Sequence, residues 1–187
     1  PLILASQSPR RRQLLEEAGF NFTVQAFDTD KSFDPQMPVR EVAPLLAQRK
    51  ARAAAHLITD REVILAADST VVLGDTIFNK PADYDEAFGM IRALSGQCHT
   101  VVTGVCLLDS KKEVVLSGLS DVWFAPLSDA EIDYYIRTCK PFDKAGSYGV
   151  QEWIGVCKIT RIEGTYANVM GLPVDLVYGA LQSHFSG

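Results

Sequence analysis

The sequence of 187 residues lacks the features that would place it in a membrane or exported class of protein. It has no apolar run that approaches the roughly 18 residues of a membrane-spanning helix, so we expect no membrane partner. Residues 1–5 are too few for the apolar core of a signal peptide, and no basic segment precedes them. We therefore expect a cytoplasmic protein.

Cysteine and histidine are scarce and poorly spaced for metal binding. The four cysteines form no C-x-x-C pair, and the three histidines show no ligand spacing. This pattern disfavours a zinc or redox centre and favours free thiols in a reducing compartment. The residues concerned are Cys98, Cys106, Cys139 and Cys157, with His56, His99 and His184.

Acidic residues outnumber basic residues, and the formal net charge is -5. A protein that holds long nucleic acid normally presents a basic surface, so we expect no such partner. A small anion is still a candidate ligand, because a few local cations can outweigh the global sign. The sequence contains no Walker A loop, no G-x-S-x-G elbow and no H-E-x-x-H pair. Any chemistry must therefore come from less generic segments.

Apolar periodicity and capping residues predict strands that alternate with helices, which is typical of the α/β class. The composition, 47% hydrophobic and 22% charged, suits a globular domain, and we expect one domain over residues 1–187. The strand after residue 63 is expected to break at Asp68. The predicted strands are 2–5, 22–24, 63–67, 101–108, 114–124 and 154–162, and the predicted helices are 9–18, 42–57, 83–94, 128–137 and 173–185.

Segment 6–12, SQSPRRR, lies between a predicted strand and a predicted helix. Ser8 can cap the helix and Pro9 suits its first position. The N–H groups and dipole of a helix N-terminus favour an anion, and guanidinium groups bind phosphate oxygens through a rigid fork. The alternative is a solvated basic helix start, and the residues alone favour phosphate binding only slightly.

Segment 68–70, Asp-Ser-Thr, follows the apolar run that begins at residue 63. An acidic residue at the end of a buried strand lies where α/β proteins usually bind ligands. Asp68 could therefore hold a divalent metal or activate water. An aspartate that only caps a turn is an equally good interpretation of this segment alone.

Three lysines and one glutamine are further candidates. Lys50 lies late in a predicted helix, Lys80 precedes a proline, and Lys144 lies just before the glycine-rich segment GSYGVQ at residues 146–151. The amide of Gln151 offers a donor and an acceptor side by side, which match N3–H and a carbonyl of uracil or thymine. Solvent-facing lysines and an ordinary glycine turn are the alternatives.

A series of short segments occurs in a fixed order along nearly the whole chain. The segments are LASQSPRR at 4–11, LAQRKA at 46–51, ADSTVV at 67–72, KP at 80–81, LSG at 94–96, His99, TG at 103–104, DKAGSYGVQ at 143–151 and NVMGLP at 168–173. Each alone is unspecific, whereas all of them in this order are specific. The chain resembles the Maf-like nucleotide pyrophosphatases, and within that family the branch associated with dTTP and UTP.

The resemblance implies an α/β fold with a long, curved mixed sheet flanked by helices, and an active-site cleft between two lobes. It also implies hydrolysis of a nucleoside triphosphate to the monophosphate and pyrophosphate. Asp68 matches the position of the family's proposed proton acceptor. Other matched positions are Arg10, Ser69 and Gln151 for base specificity, and Ser8, Arg11, Lys50 and Lys80 for the phosphates.

The resemblance further implies a divalent metal cofactor, Mg²⁺ or Mn²⁺. Asp68 and Asp30 are the metal ligands it suggests, with Asp34 as a second local candidate. Three residues depart from the family pattern: Ser69 stands where Thr is usual, Lys31 stands where we align a Glu, and Lys140 stands where an acid is common, which we interpret as a surface change. Ser69 keeps the hydroxyl, whereas Lys31 leaves the acidic partner of the metal undetermined.

Two other functions stay open at this point. One is a nucleotide-binding regulator of cell division or translation without turnover, and the other is a triphosphatase of purine or modified nucleotides. The GVQ segment at residues 149–151 argues against the purine alternative. The sequence does not decide between a monomer and a homodimer.

Overall fold

The computed structural model describes residues 1–185, which form seven strands and seven α-helices. The strands are β1 (Leu2–Leu4), β2 (Phe22–Val24), β3 (Val63–Leu73), β4 (Thr76–Phe78), β5 (Cys98–Leu108), β6 (Glu113–Phe124) and β7 (Ile159–Glu163). The helices are α1 (Pro9–Glu17), α2 (Val42–Ala53), α3 (Tyr84–Leu94), α4 (Asp129–Cys139), α5 (Trp153–Lys158), α6 (Tyr166–Met170) and α7 (Val174–His184).

The strands form one mixed sheet in the order β2-β1-β3-β5-β6-β7, with β4 paired to β3. Strand β1 is parallel to both β2 and β3, and its Leu4 lies opposite Val24 and Leu65. Strands β4 and β7 pair antiparallel to β3 and β6. The predicted α/β class with a mixed sheet and flanking helices is therefore confirmed. Among residues 1–185, no helix combines the length and apolar character needed to cross a bilayer.

Capping side chains set the N-termini of three helices, as the sequence predicts. Ser8 caps α1 by accepting a hydrogen bond from the Arg11 N–H, with Pro9 at the first helical position. Asp83 caps α3 in the same way, and Ser128 forms a reciprocal capping box with Glu131 at the start of α4. Each cap satisfies an N–H group that has no partner within the helix.

The chain folds as two compact units. The first contains residues 1–69 and 103–118 and the segment from residue 171 onward, and the second contains 70–102 and 119–170. One core cluster of the first unit contains small side chains, since Ala47 and Ala51 of α2 and the following Ala54 pack with Ile64 and Ala66 of β3. Methyl side chains allow a helix backbone to approach the sheet closely, which places the end of α2 beside β3.

The core of the second unit is made by residues of β3, β5, β6 and helices α3 to α5. Its fully buried side chains include Ile91, Ile132, Tyr135 and Ile154. The ring of Tyr148 packs edge-on against Phe124, with ring centroids 4.9 Å apart. This packing fixes the glycine-rich segment that follows Tyr148.

The expected break of β3 at Asp68 is wrong. The strand continues through Asp68 to Leu73, because Thr70, Val71 and Val72 prefer extended backbone and are buried. Asp68 is therefore a mid-strand residue that projects from the sheet, and it does not cap a turn.

The predicted strand 154–162 is also wrong over its first half. Helix α5 occupies Trp153–Lys158, and the strand begins only at Ile159. Ile154 is fully buried, whereas Val156 is 79% exposed, so the apolar residues do not share one face of a strand. The predicted helix 42–57 ends at Ala53 and is followed by a single 3-10 turn.

Candidate active site

Lys50 and Asp68 form an ion pair in the first unit. Lys50 lies in the last turn of α2, and its ammonium donates to Asp68 Oδ1 at 2.8 Å and to the carbonyl of Ala67 at 3.0 Å. Both charged side chains are 18% exposed. A charged pair with this burial is screened less than a surface pair, so its partners interact strongly. The Asp68 carboxylate thus has a cation in direct contact and some access to solvent.

Arg11 reaches the same strand from helix α1. Its Nε donates to the carbonyl of Gly171 at 2.7 Å, and its Nη2 donates to Ser69 Oγ at 3.0 Å. Burial lowers the pKa of Arg11 to about 10, although the nearby Asp68 carboxylate opposes this shift. The buried guanidinium is still charged at neutral pH, and these two bonds use two of its five N–H donors.

Burial also lowers the pKa of Lys50, and the Asp68 carboxylate again opposes the shift. The positive charges of Arg11 and Lys31 lower the pKa of Lys50 further. Lys31 therefore lies within electrostatic range of this site, although the family pattern aligns an acid there. Cations outnumber the single carboxylate, so the site suits a ligand with several negative charges.

The other predicted phosphate residues of the first unit lie at the start of α1. The Ser8 hydroxyl accepts the hydrogen bond of the Arg11 N–H at 3.3 Å, and the Ser8 N–H donates to Ser6 Oγ at 3.1 Å. The positive charge of Arg10 lowers the pKa of Arg11, so Arg10 also lies within electrostatic range. The first turn of α1 thus adds cations and helix N–H groups near Arg11.

The acidic loop does not supply a preformed metal cage. Asp30 is exposed and accepts hydrogen bonds from the N–H and hydroxyl of Ser32, which lower the pKa of Asp30. Asp34 accepts from the Gln36 N–H at 2.8 Å. In residues 1–185, no group of three or more His, Cys, Asp or Glu side chains could hold a metal ion. This donor set fits a metal held by one carboxylate and by the phosphates of a substrate, as Mg²⁺ commonly is.

Two predicted site residues, Gln151 and Lys80, lie in the second unit. Both side chains are exposed. The segment before Gln151 is held by Tyr135, whose hydroxyl donates to Glu152 Oε1 at 2.6 Å and accepts from the Gly149 N–H at 2.9 Å. Burial and the Glu152 carboxylate raise the pKa of Tyr135, so the phenol keeps its proton. Tyr135 therefore contacts residues on both sides of Gln151, through the backbone of Gly149 and the side chain of Glu152.

Lys144 has a structural role in the second unit. Its ammonium lies 3.0 Å from Asp143 and 3.8 Å from Glu152, and its side chain is 12% exposed. The longer pair joins Lys144, just before the glycine-rich segment, to Glu152, just after it. The sequence interpretation of Lys144 as a ligand-binding lysine gains no support from this arrangement.

A shallow pocket of about 390 Å³ lies beside Gln151. Its lining is mainly apolar and aromatic, with Val156, Ile159, Ile162 and Tyr166 among the residues. Ring-shaped ligands bind to such surfaces, because apolar side chains pack on the ring while a few polar groups fix its orientation. The pocket therefore places the Gln151 amide next to several apolar side chains.

Two functional groups were not found from the sequence. Thr103 forms a hydrogen bond of 2.8 Å with Ser69 Oγ, and the carbonyl of Gly171 accepts from Arg11. The segment at 103–104 is part of the resemblance, but nothing in it indicates a contact with Ser69. A backbone carbonyl has no side-chain signal, so only the fold reveals the role of Gly171.

Comparisons with known proteins identify the family of this chain. The family model described as Maf-like protein matches residues 1–184. A dTTP/UTP pyrophosphatase of Porphyromonas gingivalis is 46% identical over 184 residues, which cover 97% of this chain and 92% of the relative. The protein of the same name from Chlorobaculum tepidum is 43% identical and covers 98% of this chain and 95% of the relative. That from Cytophaga hutchinsonii is 43% identical and covers 99% and 84%.

Solved structures are more distant. The Ham1 protein of Staphylococcus aureus has a TM-score of 0.48 and 14% identity, with 66% of this chain and 71% of that chain covered. A nucleoside-triphosphatase (dITP/XTP pyrophosphatase) from Mycobacterium abscessus has a TM-score of 0.44 and 14% identity, with 97% and 92% covered. These likenesses support no inference about activity. The family model matches residues 1–184, so this chain belongs to the Maf-like protein family.

Proposed function

We propose that this chain hydrolyses dTTP and UTP to the nucleoside monophosphate and pyrophosphate. The observation that carries the proposal is the cation-rich site around Asp68, in a chain whose relatives at 43–46% identity are named dTTP/UTP pyrophosphatases. A single carboxylate among several cations suits the phosphates of a nucleoside triphosphate. It does not suit a neutral or cationic ligand.

Arg11 and Lys50 bind the phosphate oxygens in this proposal. The Arg11 guanidinium is held in place by Gly171 and Ser69, so it loses little freedom when an anion binds. Ser8, Arg10 and Lys80 are proposed to complete the phosphate contacts. Their charges and N–H groups offset the negative charge that develops when the bond to pyrophosphate breaks.

Asp68 is the proposed proton acceptor. Water attacks the α-phosphorus, a new phosphorus–oxygen bond forms, and the bond to the bridging oxygen breaks so that pyrophosphate leaves. Asp68 orients this water and takes its proton. Lys50 donates to Asp68 Oδ1 at 2.8 Å. When the ammonium turns to the phosphates, that carboxylate oxygen is released for the water.

A divalent cation, Mg²⁺ or Mn²⁺, is the proposed cofactor. Asp68 would hold it, and Asp30 is the tentative second ligand. When bound, the cation neutralises phosphate charge and lowers the pKa of a bound water. The single carboxylate of Asp68 fits a metal that arrives largely coordinated by the triphosphate itself.

Gln151 is the proposed reader of the base. Its amide pairs with N3–H and one carbonyl of uracil or thymine, whereas cytosine presents the opposite pattern at these positions. The Tyr135 contacts on both sides of Gln151 and the apolar lining of the adjacent pocket support this role. Arg10 and Ser69 are the other proposed specificity residues.

Pyrophosphate release across a panel of nucleotides tests the proposal. The purified protein, with Mg²⁺ or Mn²⁺, should release pyrophosphate from dTTP and UTP with higher kcat/KM than from dCTP, dATP or GTP. Equal or higher activity on purine or modified nucleotides would replace the proposed substrates. Nucleotide binding without pyrophosphate release would indicate a regulator without turnover.

The remaining proposals concern the state of the protein in the cell. We propose that residues 1–187 act as one functional domain in the cytoplasm, where dTTP and UTP are made and used. A homodimer is a further proposal, and analytical ultracentrifugation of the purified chain tests it.

A further inference from the structure

The hydroxyl of Thr103 is connected to Arg11 through one intermediate residue, Ser69. Arg11 Nη2 donates to Ser69 Oγ at 3.0 Å, and Ser69 Oγ lies 2.8 Å from Thr103 Oγ1. These three residues come from α1, β3 and β5, which are separated by 58 and 34 positions in the sequence. A continuous line of hydrogen bonds thus runs from a buried strand to the guanidinium that the proposed function assigns to phosphate binding.

Thr103 is a rigid starting point for this line. Its side chain is fully buried, and the branched Cβ restricts its χ1 rotamer. The next residue, Gly104, lies so close to α2 that a Cβ there would be 2.3 Å from the backbone nitrogen of Pro44. This close packing against a helix backbone fixes β5 at Thr103, so its hydroxyl has a defined position.

Ser69 needs a second partner to hold Arg11. A serine hydroxyl has one hydrogen and two lone pairs, and it can rotate about its Cα–Cβ bond. Ser69 Oγ must keep a lone pair directed at Arg11 Nη2, and the bond to Thr103 restricts the rotation that would turn it away. The fixed Ser69 then holds one end of the guanidinium, while the Gly171 carbonyl holds the other at 2.7 Å from Nε.

We propose that Thr103 is a positioning residue that acts through Ser69 to hold Arg11 in its phosphate-binding geometry. This inference rests on the proposed function. Thr103 is fully buried and acts on the phosphates only through Arg11. Loss of its hydroxyl removes one hydrogen bond and should therefore weaken phosphate binding roughly three- to tenfold.

The test compares Thr103→Ser with Thr103→Ala. Both variants lack the threonine methyl group, and Thr103→Ala also lacks the hydroxyl, so the two variants differ from each other only in that hydroxyl. Three quantities are measured for each: kcat/KM for dTTP, the Kd for inorganic pyrophosphate by calorimetry, and the melting temperature. Ser69→Ala and the double variant Ser69→Ala/Thr103→Ala complete a cycle that separates action through Ser69 from an independent effect.

The expected result is that Thr103→Ser keeps wild-type kcat/KM and Kd to within about twofold, whereas Thr103→Ala loses roughly three- to tenfold in both. In the Ser69→Ala background, Thr103→Ala should have almost no further effect. A merely structural role would lower the melting temperature of both variants and would leave kcat/KM and Kd equal between them.

Equal activity and pyrophosphate affinity in Thr103→Ser and Thr103→Ala would overturn the inference, and so would losses that multiply in the double variant. Wild-type protein that releases no pyrophosphate from any nucleotide would instead contradict the proposed function. In that case the Kd for inorganic pyrophosphate, which requires no turnover, still decides the role of Thr103.

Discussion

Asp68→Asn is the substitution that most directly tests the proposed chemistry. Asparagine keeps the shape of the side chain and can still accept the Lys50 hydrogen bond, but it cannot take a proton from water. Loss of a catalytic base typically costs about 10²–10⁴-fold in rate. Asp68 is 18% exposed, and its carboxylate lies 2.8 Å from the Lys50 ammonium, a contact that asparagine can keep.

The effect of Asp68→Asn on stability should be small. Breaking a fully buried ion pair costs about 3–5 kcal/mol, and exposed pairs contribute about 0–1 kcal/mol. The Lys50–Asp68 pair is partly exposed and its hydrogen bond survives, so we expect a loss of about 1–2 kcal/mol. For a chain of this size this loss lowers the melting temperature by about 2–8 °C. The variant should therefore be fully folded at 25 °C.

The assay measures pyrophosphate release from dTTP at 25 °C, with circular dichroism to check the folded fraction. Asp75→Asn is the matched control, since Asp75 is exposed in the turn between β3 and β4, and it should keep wild-type turnover. The reasoning fails if folded Asp68→Asn retains a kcat within threefold of the wild-type value.

Four further substitutions probe the proposed site and the pH dependence of stability. Gln151→Ala should reduce the preference for dTTP over dCTP and GTP while some hydrolysis remains, because the base-pairing amide is lost; an unchanged order of kcat/KM would remove Gln151 from base recognition. Arg10→Ala and Lys80→Ala should each lower kcat/KM for dTTP by about tenfold or more without unfolding the protein, and unchanged kinetics in both would place the phosphates elsewhere. Burial lowers the pKa of His99 to about 4, so the neutral ring stabilises the fold above about pH 6.5 and this stability is lost as the pH falls toward 4. Between pH 7.5 and pH 4.5, the free energy of unfolding in urea should therefore fall by about 2–3 kcal/mol more for the wild type than for His99→Gln. Equal decreases in the two proteins would contradict this account.

Local features of the fold could be predicted because each depends on residues close in sequence. Ser8 with Pro9, Asp83 and Ser128 all cap helices at the predicted positions. The alternation of strands and helices and the Maf-like family are likewise confirmed. The prediction for the α5 segment was wrong because its apolar residues fit a strand or a short helix equally well. Only tertiary packing, which buries Ile154 and exposes Val156, decides between them.

The geometry of the site could be predicted only in part. Resemblance selected Lys50 and Asp68, but their contact depends on how closely the alanines of α2 pack on β3. The roles of Thr103 and Gly171 depend on distances between segments far apart in sequence, and one of them uses a backbone atom. The periodicity and composition of the sequence do not predict such contacts, so only the folded structure reveals them.

The hydrogen bond between Arg11 and the Gly171 carbonyl joins groups that are 160 residues apart. A growing chain carries Arg11 long before Gly171 is synthesised, and contacts across such long loops generally form late in folding. An unfinished or truncated chain therefore holds its arginine without the acceptor that orients it. Nucleotide binding is then expected of the finished fold alone, and a ligand that binds only this state shifts the equilibrium of complete chains from the unfolded toward the folded state.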